Sequence, residues 1–429
     1  MSKVSFIGLG KLGLPLCTCL GKNGIDVLAI DINQTVINKL KKGISPFYET
    51  SLQRNIDKSR DNVEYTTSYE KVSETDTSII LVNTPSVKKD GSFSNLYIEQ
   101  SIKSICEQVK HKDYHLFIIS STVMPGSLND SFIPLIESLN QWTYKKNFDL
   151  CYIPDFVALG TVIDDFENPE FVVLGESSEK AGDRAVELYT KVFQNNPPIK
   201  RMSLIESELA KVSLNAYICM KISFANFLGD ICEKYENANP DKITSAIGID
   251  KRISTSYFKA GLAFGGTCFP RDTWAFMKLS DKLGLNAIHI QAAENINQKQ
   301  NKNLLGKVLS LECTSVGILG LSFKNTTPVI NESPSIKLIE SLLKYNIKVN
   351  SYDPVRGAVE NTREMFGDQI SYCDSYSECV ENSECVIIFN PCGEYHDINQ
   401  YLTPDKVVID CWRYYDNISC RHIKLGLKE

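Results

Sequence analysis

The chain has 429 residues, 46 of them basic and 52 acidic, for a formal net charge of −6. At ~100–200 residues per domain this length predicts more than one domain, and 43% hydrophobic with 23% charged residues excludes wholesale disorder. The charge balance excludes general electrostatic capture of nucleic acid or of an anionic membrane, and no apolar run approaches the ~20 residues of a membrane helix.

The first apolar run, Val4–Leu9, predicts a strand almost at the first residue, so no targeting leader is expected. Asp26–Ile30, Ser78–Asn83, His115–Ser121, Asp149–Ile153 and Phe171–Leu174 read as further short strands. Helical patterns over Lys11–Asn23, Gln34–Lys41 and Leu96–Lys110 fall between them. This alternation predicts βαβ units on a parallel sheet.

Gly8-Leu9-Gly10-Lys11-Leu12-Gly13 follows the first strand and opens the first helix. A dinucleotide needs such a loop: one glycine for the tight turn, one for close approach of backbone to pyrophosphate, one for packing helix on strand. The helix N-terminus then faces the phosphates. Asp31 ends the second strand, where a carboxylate binds the ribose hydroxyls and repels a 2′-phosphate, so NAD is favoured over NADP. Two further loops stand where strands of this sheet end, Asn83-Thr84-Pro85 and Ser121-Thr122-Val123-Met124-Pro125-Gly126. Ligands bind at the carboxyl ends of such strands, so Thr84, Pro85, Ser121 and Thr122 are expected to reach cofactor or substrate. His111 and His115 stand at i, i+4, yet the Lys-Asp-Tyr between them reads as a turn, and no metal site is expected there or elsewhere.

From about Met202 the texture changes. Ile205 to Lys234 carries apolar positions at helical spacing with no Gly or Pro until Gly229, which predicts one long helix. More helix is predicted over Asp241–Ile247, Arg271–Lys282 and Ile290–Leu305. After Cys313 strands return at Ser315–Gly320, Ile347–Tyr352, Glu384–Phe389 and Lys406–Asp410. The predicted fold is α/β: two Rossmann-like, doubly wound parallel-sheet domains (residues 1–200 and 306–429) joined by a central helical domain (201–305). No repeat between the outer domains is visible in the sequence.

Fourteen cysteines occur without a Cys-x-x-Cys pair, which predicts reduced thiols and a cytosolic protein. Most are expected to be small buried hydrophobes. Cys268 stands apart, in Gly261-Leu-Ala-Phe-Gly265-Gly266-Thr267-Cys268-Phe269-Pro270-Arg271-Asp272. Its loop is rich in glycine, and Pro270 suits the first turn of a following helix. A thiol near a helix N-terminus and beside Arg271 has two reasons for a lowered pKa, hence for nucleophilicity.

At these residues the sequence resembles the nucleotide-sugar 6-dehydrogenase family, the UDP-glucose and GDP-mannose dehydrogenases, along essentially its whole length. The glycine loop, Ser121–Gly126, Pro154-Asp155-Phe156, Lys211 with Asn215, Phe264–Asp272, and Phe323-Lys324 with Ser333-Pro334 occur in the family's order. The resemblance implies four-electron oxidation of a sugar C6 alcohol to the carboxylate, with two NAD per turnover. It implies Cys268 as the nucleophile that carries a thiohemiacetal and then a thioester. Lys211 and Asn215, one helical turn apart, would stabilise oxyanions. Asp272 would position the catalytic water with Lys211, and Thr122 would contact that water. Asp155 takes the place of the family glutamate proposed as general base, one methylene shorter. Leu159 and Asn331 are further departures, where the family has Glu and Arg. Phe156, Phe264, Gly265, Phe323, Lys324 and Arg413 match substrate-binding positions, the two cations being suited to phosphates. Ala246–Ile253 resembles the UDP-glucose branch, in which the residue matching Arg252 reaches into a neighbouring subunit; a homodimer or dimer-based oligomer is implied. UDP-glucose is the leading substrate, ahead of GDP-mannose and a UDP-N-acetylhexosamine. A two-electron dehydrogenase of the 6-phosphogluconate or hydroxyacyl type has no use for a loop cysteine or a second nucleotide domain. A catalytically dead sugar-nucleotide binder would not need Cys268, Lys211, Asn215 and Asp272 together.

Overall fold

Val4-Ser-Phe-Ile7 is buried at every position, as a strand covered on both faces must be. It is β1 of the first of two units into which the chain divides, residues 1–213 and 214–429; the computed structural model describes residues 3–87, 91–325 and 327–429. There follow β2 (Val27–Ile30), β3 (Val63–Thr66), β4 (Thr77–Ile80), β5 (His115–Ile119), β6 (Phe148–Tyr152), β7 (Val172–Glu176) and β8 (Ile199–Met202). They form one sheet in the order β3-β2-β1-β4-β5-β6-β7-β8, so the topology reverses between β1 and β4.

The sheet departs once from the expected parallel arrangement. β7 runs antiparallel to β6, with Cys151 opposite Glu176. The connection holds only the six-residue helix Val162–Glu167, which rises ~9 Å. The chain outside that helix is extended or turning, and β7 enters from the opposite end.

Alternate strand positions feed two cores. Val4, Phe6, Val27, Ala29 and Ile79 pack with the helices Gly13–Lys22 and Glu179–Tyr189. Ile7, Leu28, Ile30, Ile80, Phe117 and Ile119 pack with Leu96–Val109 and Ile133–Asn140. A polar row crosses the second face: Ser5 Oγ lies 2.6 Å from Ser78 Oγ, which lies 2.8 Å from His115 Nε2. Burial pushes the His115 pKa down to about 3 and keeps the ring neutral. Among the described residues no three His, Cys, Asp or Glu side chains are grouped to hold a metal.

The helix Leu204–Cys232 has 29 residues and runs through the boundary between the units. Pro240–Gly248, Phe269–Lys282 and Ile288–Leu309 follow it. Asn239 caps the first of these by accepting the N–H groups of Asp241 and Lys242, a cap of ~1 kcal/mol. The second sheet then forms from β9 (Ser315–Leu319), β10 (Lys348–Tyr352), β11 (Ser371–Tyr372), β12 (Cys385–Ile388), β13 (Val407–Asp410) and β14 (Arg421–Lys424). Its order is β11-β10-β9-β12-β13-β14, parallel throughout.

Six strands of each sheet therefore share one plan, and so does the turn at the centre. β1 and β9 are each followed by a glycine of positive φ, Gly8 at +99° and Gly320 at +104°. The aspartate after the next strand accepts the N–H of the residue after that glycine: Asp31 from Leu9 at 2.7 Å, Asp353 from Leu321 at 2.7 Å. What is shared is a backbone angle and one hydrogen bond, which leaves no visible sequence repeat.

Every strand expected from the sequence is present. The four that apolar patterning does not predict, β3, β8, β11 and β14, are the edges of the two sheets. They are short, and three of them carry Glu64, Lys200, Arg201, Arg421, His422 or Lys424. Charges there discourage edge-to-edge pairing and also break the apolar run.

Candidate active site

β1 ends at Ile7, two residues before the expected Leu9, because Gly8 turns the chain. A Cβ on Gly8 would lie 2.2 Å from the Leu81 carbonyl oxygen, and one on Gly13 would lie 2.0 Å from that of Gly8. The fold itself requires those two glycines. Gly10 is different: nothing lies within 4 Å of its Cβ position. Bare backbone there leaves the approach that a pyrophosphate needs. Lys11 and Leu12 complete the turn, and the helix Gly13–Lys22 starts behind them with its N–H groups toward the loop. Asp31 accepts Leu9 N–H at 2.7 Å and Asn33 N–H at 2.8 Å, which leaves about half of a carboxylate's acceptor sites for ribose hydroxyls. Loop, helix and carboxylate fit NAD.

The hydroxyls of the next two loops have other work. Ser121 Oγ donates to the Val82 carbonyl at 2.8 Å and accepts Val82 N–H at 2.8 Å. Thr84 Oγ1 donates to the Thr122 carbonyl at 2.7 Å. Each hydroxyl proton is committed to the neighbouring loop, so Ser121 and Thr84 brace the strand ends. Pro85 is exposed and Thr122 half-buried.

The Ser121–Gly126 loop is anchored by a residue that no motif marks. Glu208 is fully buried and accepts Gly126 N–H at 2.8 Å and Leu128 N–H at 3.0 Å. Burial pushes its pKa up to about 7 against those two donors. Its signal in the sequence is a glutamate inside an apolar helical pattern, three residues before Lys211.

Lys211 Nζ donates to the main-chain carbonyl of Asp155 and lies 4.7 Å from the centroid of the Phe156 ring, a cation–π distance. Asp155 Oδ2 is buried and has no hydrogen-bond partner. Burial raises the Asp155 pKa to about 7, with the Lys211 charge opposing the rise. A carboxyl poised near neutrality is suited to proton transfer. Leu159 packs against the core, and Gly160 and Val162 donate their N–H groups to the buried Glu49 at 3.0 and 3.1 Å. Glu49 thus ties down the segment that follows Asp155.

In the second unit, Asn215 lies one turn beyond Lys211 on the helix Leu204–Cys232. Its Nδ2 donates to Asp272 Oδ2 at 2.6 Å, and both side chains are buried. Arg271 Nε stands 3.3 Å from the other oxygen of Asp272. Cys268 is the N-cap residue of the helix Phe269–Lys282, with Pro270 in its first turn. All fourteen cysteines are among the described residues and free, and Cys268 is the exposed one. Burial pushes the thiols of Cys106 and Cys219 up to about 12. The glycines beside Cys268 are required by close approach. A Cβ on Gly265 would lie 2.2 Å from the Glu332 carbonyl oxygen, and one on Gly266 would lie 2.6 Å from the Phe323 ring. Gly266 N–H donates to the carbonyl of Asn331 at 3.0 Å. Phe264 is buried, while Lys324 is exposed.

Arg413, an expected substrate contact, is held by partners of its own chain. Its guanidinium pairs with both oxygens of Asp241 at 2.8 Å and donates to the carbonyls of Leu425 and Ala260 at 2.5 Å. With its side chain 3% exposed, it braces the fold. Arg252 is 88% exposed and pairs with Asp250 at 2.6 Å.

Three family models match the chain in tandem. They are the NAD binding domain of the UDP-glucose/GDP-mannose dehydrogenase family over residues 2–193, its central domain over 205–299 and its UDP binding domain over 317–417. The chain is 32% identical over 417 residues to UDP-glucose 6-dehydrogenase AglM of Haloferax volcanii, covering 95% of this chain and 96% of that one. It is 29% identical to the GDP-mannose 6-dehydrogenase of Pseudomonas syringae pv. tomato, covering 97% of each. The solved UDP-glucose dehydrogenase of Pyrobaculum islandicum superposes with a TM-score of 0.90 at 29% identity, over 100% of this chain and 98% of that one.

Proposed function

Since the chain belongs to the UDP-glucose/GDP-mannose dehydrogenase family, whose members are NAD-dependent oxidoreductases, we propose that it oxidises the C6 alcohol of a nucleotide sugar to the carboxylate, with UDP-glucose as substrate. The observation that carries this reading is Cys268, the exposed thiol at the N-cap of a helix. An alcohol can be oxidised to an aldehyde without a nucleophile. The aldehyde cannot give a second hydride until one adds.

Each oxidation delivers a hydride to NAD, the chemistry that the bound cofactor supplies. The Gly8–Gly13 loop with Lys11, Leu12 and Asp31 would hold it, with Thr84 and Pro85 contributing through their loop. Asp155, as carboxylate, takes the proton of the C6 hydroxyl, and the Lys211 ammonium balances the alkoxide. Cys268 Sγ then adds to the aldehyde carbon: the S–C bond forms, and the carbonyl pair moves onto oxygen, which Lys211 and Asn215 stabilise. After the second oxidation, water positioned by Asp272 and Thr122 attacks the thioester, the C–S bond breaks and the thiol is restored. Phe156, Phe264, Gly265, Phe323 and Lys324 are the proposed substrate contacts, with Lys324 the exposed cation for the pyrophosphate. Residues 1–200, 201–305 and 306–429 are the proposed cofactor, dimerisation and nucleotide-sugar parts.

A homodimer is part of the proposal. Tyr217, Phe224, Phe227 and Ile231 of the long helix are 62%, 50%, 46% and 39% exposed, and their spacing of seven, three and four places them on one face. A continuous apolar stripe marks a protein contact. Arg252 would complete the neighbouring subunit's sugar site. Replacing Phe224 and Phe227 by Glu is expected to halve the mass found by sedimentation; an unchanged mass sinks the assignment. Among the described residues no helix is long and apolar enough to cross a membrane. The free thiols support the cytosol as the compartment.

The test is NADH formed from UDP-glucose, GDP-mannose, UDP-N-acetylglucosamine and UDP-N-acetylmannosamine, with the stoichiometry at completion. Two NADH per UDP-glucose is expected. Two from GDP-mannose alone, a reading supported by the 29% identity to a GDP-mannose relative, would move the substrate. One NADH per sugar would remove the four-electron reaction, and none from any sugar would remove the activity.

A further inference from the structure

The segment Gly261–Thr267, which delivers the chain to Cys268, belongs to no helix or strand. Its residues up to Phe264 are buried, so its main-chain polar groups need partners from elsewhere. Two side-chain amides supply them. Asn226 Oδ1 accepts Gly261 N–H at 2.8 Å, and its Nδ2 donates to the Leu262 carbonyl at 3.1 Å. Asn297 Oδ1 accepts Phe264 N–H at 2.7 Å, and its Nδ2 donates to the Phe264 carbonyl at 3.2 Å. The primary amide is the uncharged side chain that presents a donor and an acceptor side by side, as a peptide group does. Here the two amides do for the loop what a neighbouring strand would do. They are 2% and 3% exposed, so water does not compete, and they stand on two different helices, Leu204–Cys232 and Ile288–Leu309. Beyond the clamped residues, Gly265 and Gly266 close against the Glu332 carbonyl and the Phe323 ring.

Cys268 itself makes no capping hydrogen bond; among the described residues its Sγ lies 3.5 Å from Thr267 Oγ1. The position of the thiol is thus inherited from the loop before it and the helix after it. We propose that Asn226 and Asn297 are positioning residues for Cys268, and that loosening either lets the aldehyde escape between the two oxidations. The proposal rests on the four-electron reading above. Removal of the first hydride does not involve Sγ, whereas its addition to the aldehyde does. Attack geometry is unforgiving, a displacement of ~1 Å costing ~10²-fold. A loosened loop therefore slows capture of the aldehyde and spares its formation.

Asn297→Ala is the first variant, and three readouts are taken: NADH per sugar, aldehyde trapped as its oxime by hydroxylamine, and the rate at which iodoacetamide alkylates Cys268, followed on the peptide by mass spectrometry. NADH per sugar should fall from two toward one, oxime should accumulate, and alkylation should change severalfold, with the KM for NAD unmoved. Asn297→Asp keeps the acceptor for Phe264 N–H and loses the donor, so it should fall between wild type and Ala. Folded Asn297→Ala protein that yields two NADH, no oxime and wild-type alkylation overturns the proposal. Should Asn297→Ala not fold, Asn297→Asp and Asn226→Asp decide by the same readouts. If none of the three folds, the amides serve the fold alone and the proposal is wrong. A wild type that yields one NADH refutes the four-electron reading instead, and the alkylation rate, taken without substrate, still judges the clamp.

Discussion

Cys268→Ala lowers uronate formation by ~10³-fold or more, the scale on which loss of a covalent nucleophile is felt, while titrated binding of NAD and nucleotide sugar changes little. The separation is expected because the fold asks nothing of this thiol. Cys268 is exposed and caps its helix without a side-chain hydrogen bond, so its loss leaves no cavity and no unpaired group, and such substitutions stay within about 0.5 kcal/mol of wild type. Cys268→Ser should fare little better, since a hydroxyl is a weak nucleophile at neutral pH unless a base activates it. In both variants the first NADH should still form and the sugar should stop at the aldehyde. Uronate made by Cys268→Ala at the wild-type rate would remove the thioester route.

The second large effect is on pH. The proposed base, Asp155, can act only when ionised, and burial has pushed its pKa up to about 7. Turnover should therefore climb about tenfold per unit as pH approaches 7 from below and level off above it. A carboxyl near the ordinary aspartate value of about 3.9 would give a flat profile over the same range. Asp155→Asn should abolish the limb and cost ~10²–10⁴ in rate. Glu208 also titrates near 7, but its oxygens hold the backbone of the Ser121–Gly126 loop. Glu208→Gln, which keeps an acceptor, should retain the limb. A limb that survives in Asp155→Asn, or vanishes in Glu208→Gln alone, would take the base away from Asp155.

What could be read from the sequence is what backbone stereochemistry and short-range spacing dictate. Gly8, Gly13 and Asp31 were legible because a tight turn and its clamp leave few residue choices, and the helix Gln34–Lys41 fell where its pattern put it. The glycines that set Cys268 apart in the sequence are demanded by close approach of Phe323 and Glu332. Edge strands were illegible because half of their surroundings is solvent and their composition follows that. The pairing of Arg413 is illegible for another reason: a cation in a sequence does not reveal which anion holds it, and Asp241 lies 172 residues away. The direction of the Ser121 and Thr84 hydroxyls depends likewise on the loop across from them. Asn226 and Asn297 carry no local signal at all, because their meaning lies in the main chain of a distant segment.

The aspartate clamp occurs in both sheets, but with unequal vacancy. Asp353 is buried and receives Leu321 N–H, both donors of Ser322 and Val355 N–H. Asp31 receives two N–H groups and stays half-buried. The same residue at the same place in the same plan thus answers to two different judges. A change at Asp353 is tried during folding, before any ligand arrives. A change at Asp31 is felt by the fold through Leu9 and Asn33, and would be tried again by the cofactor it is proposed to hold. A lineage carrying this chain could drift in cofactor preference at Asp31 while Asp353 stayed frozen, and the frozen copy would keep a record of the turn from which both are built.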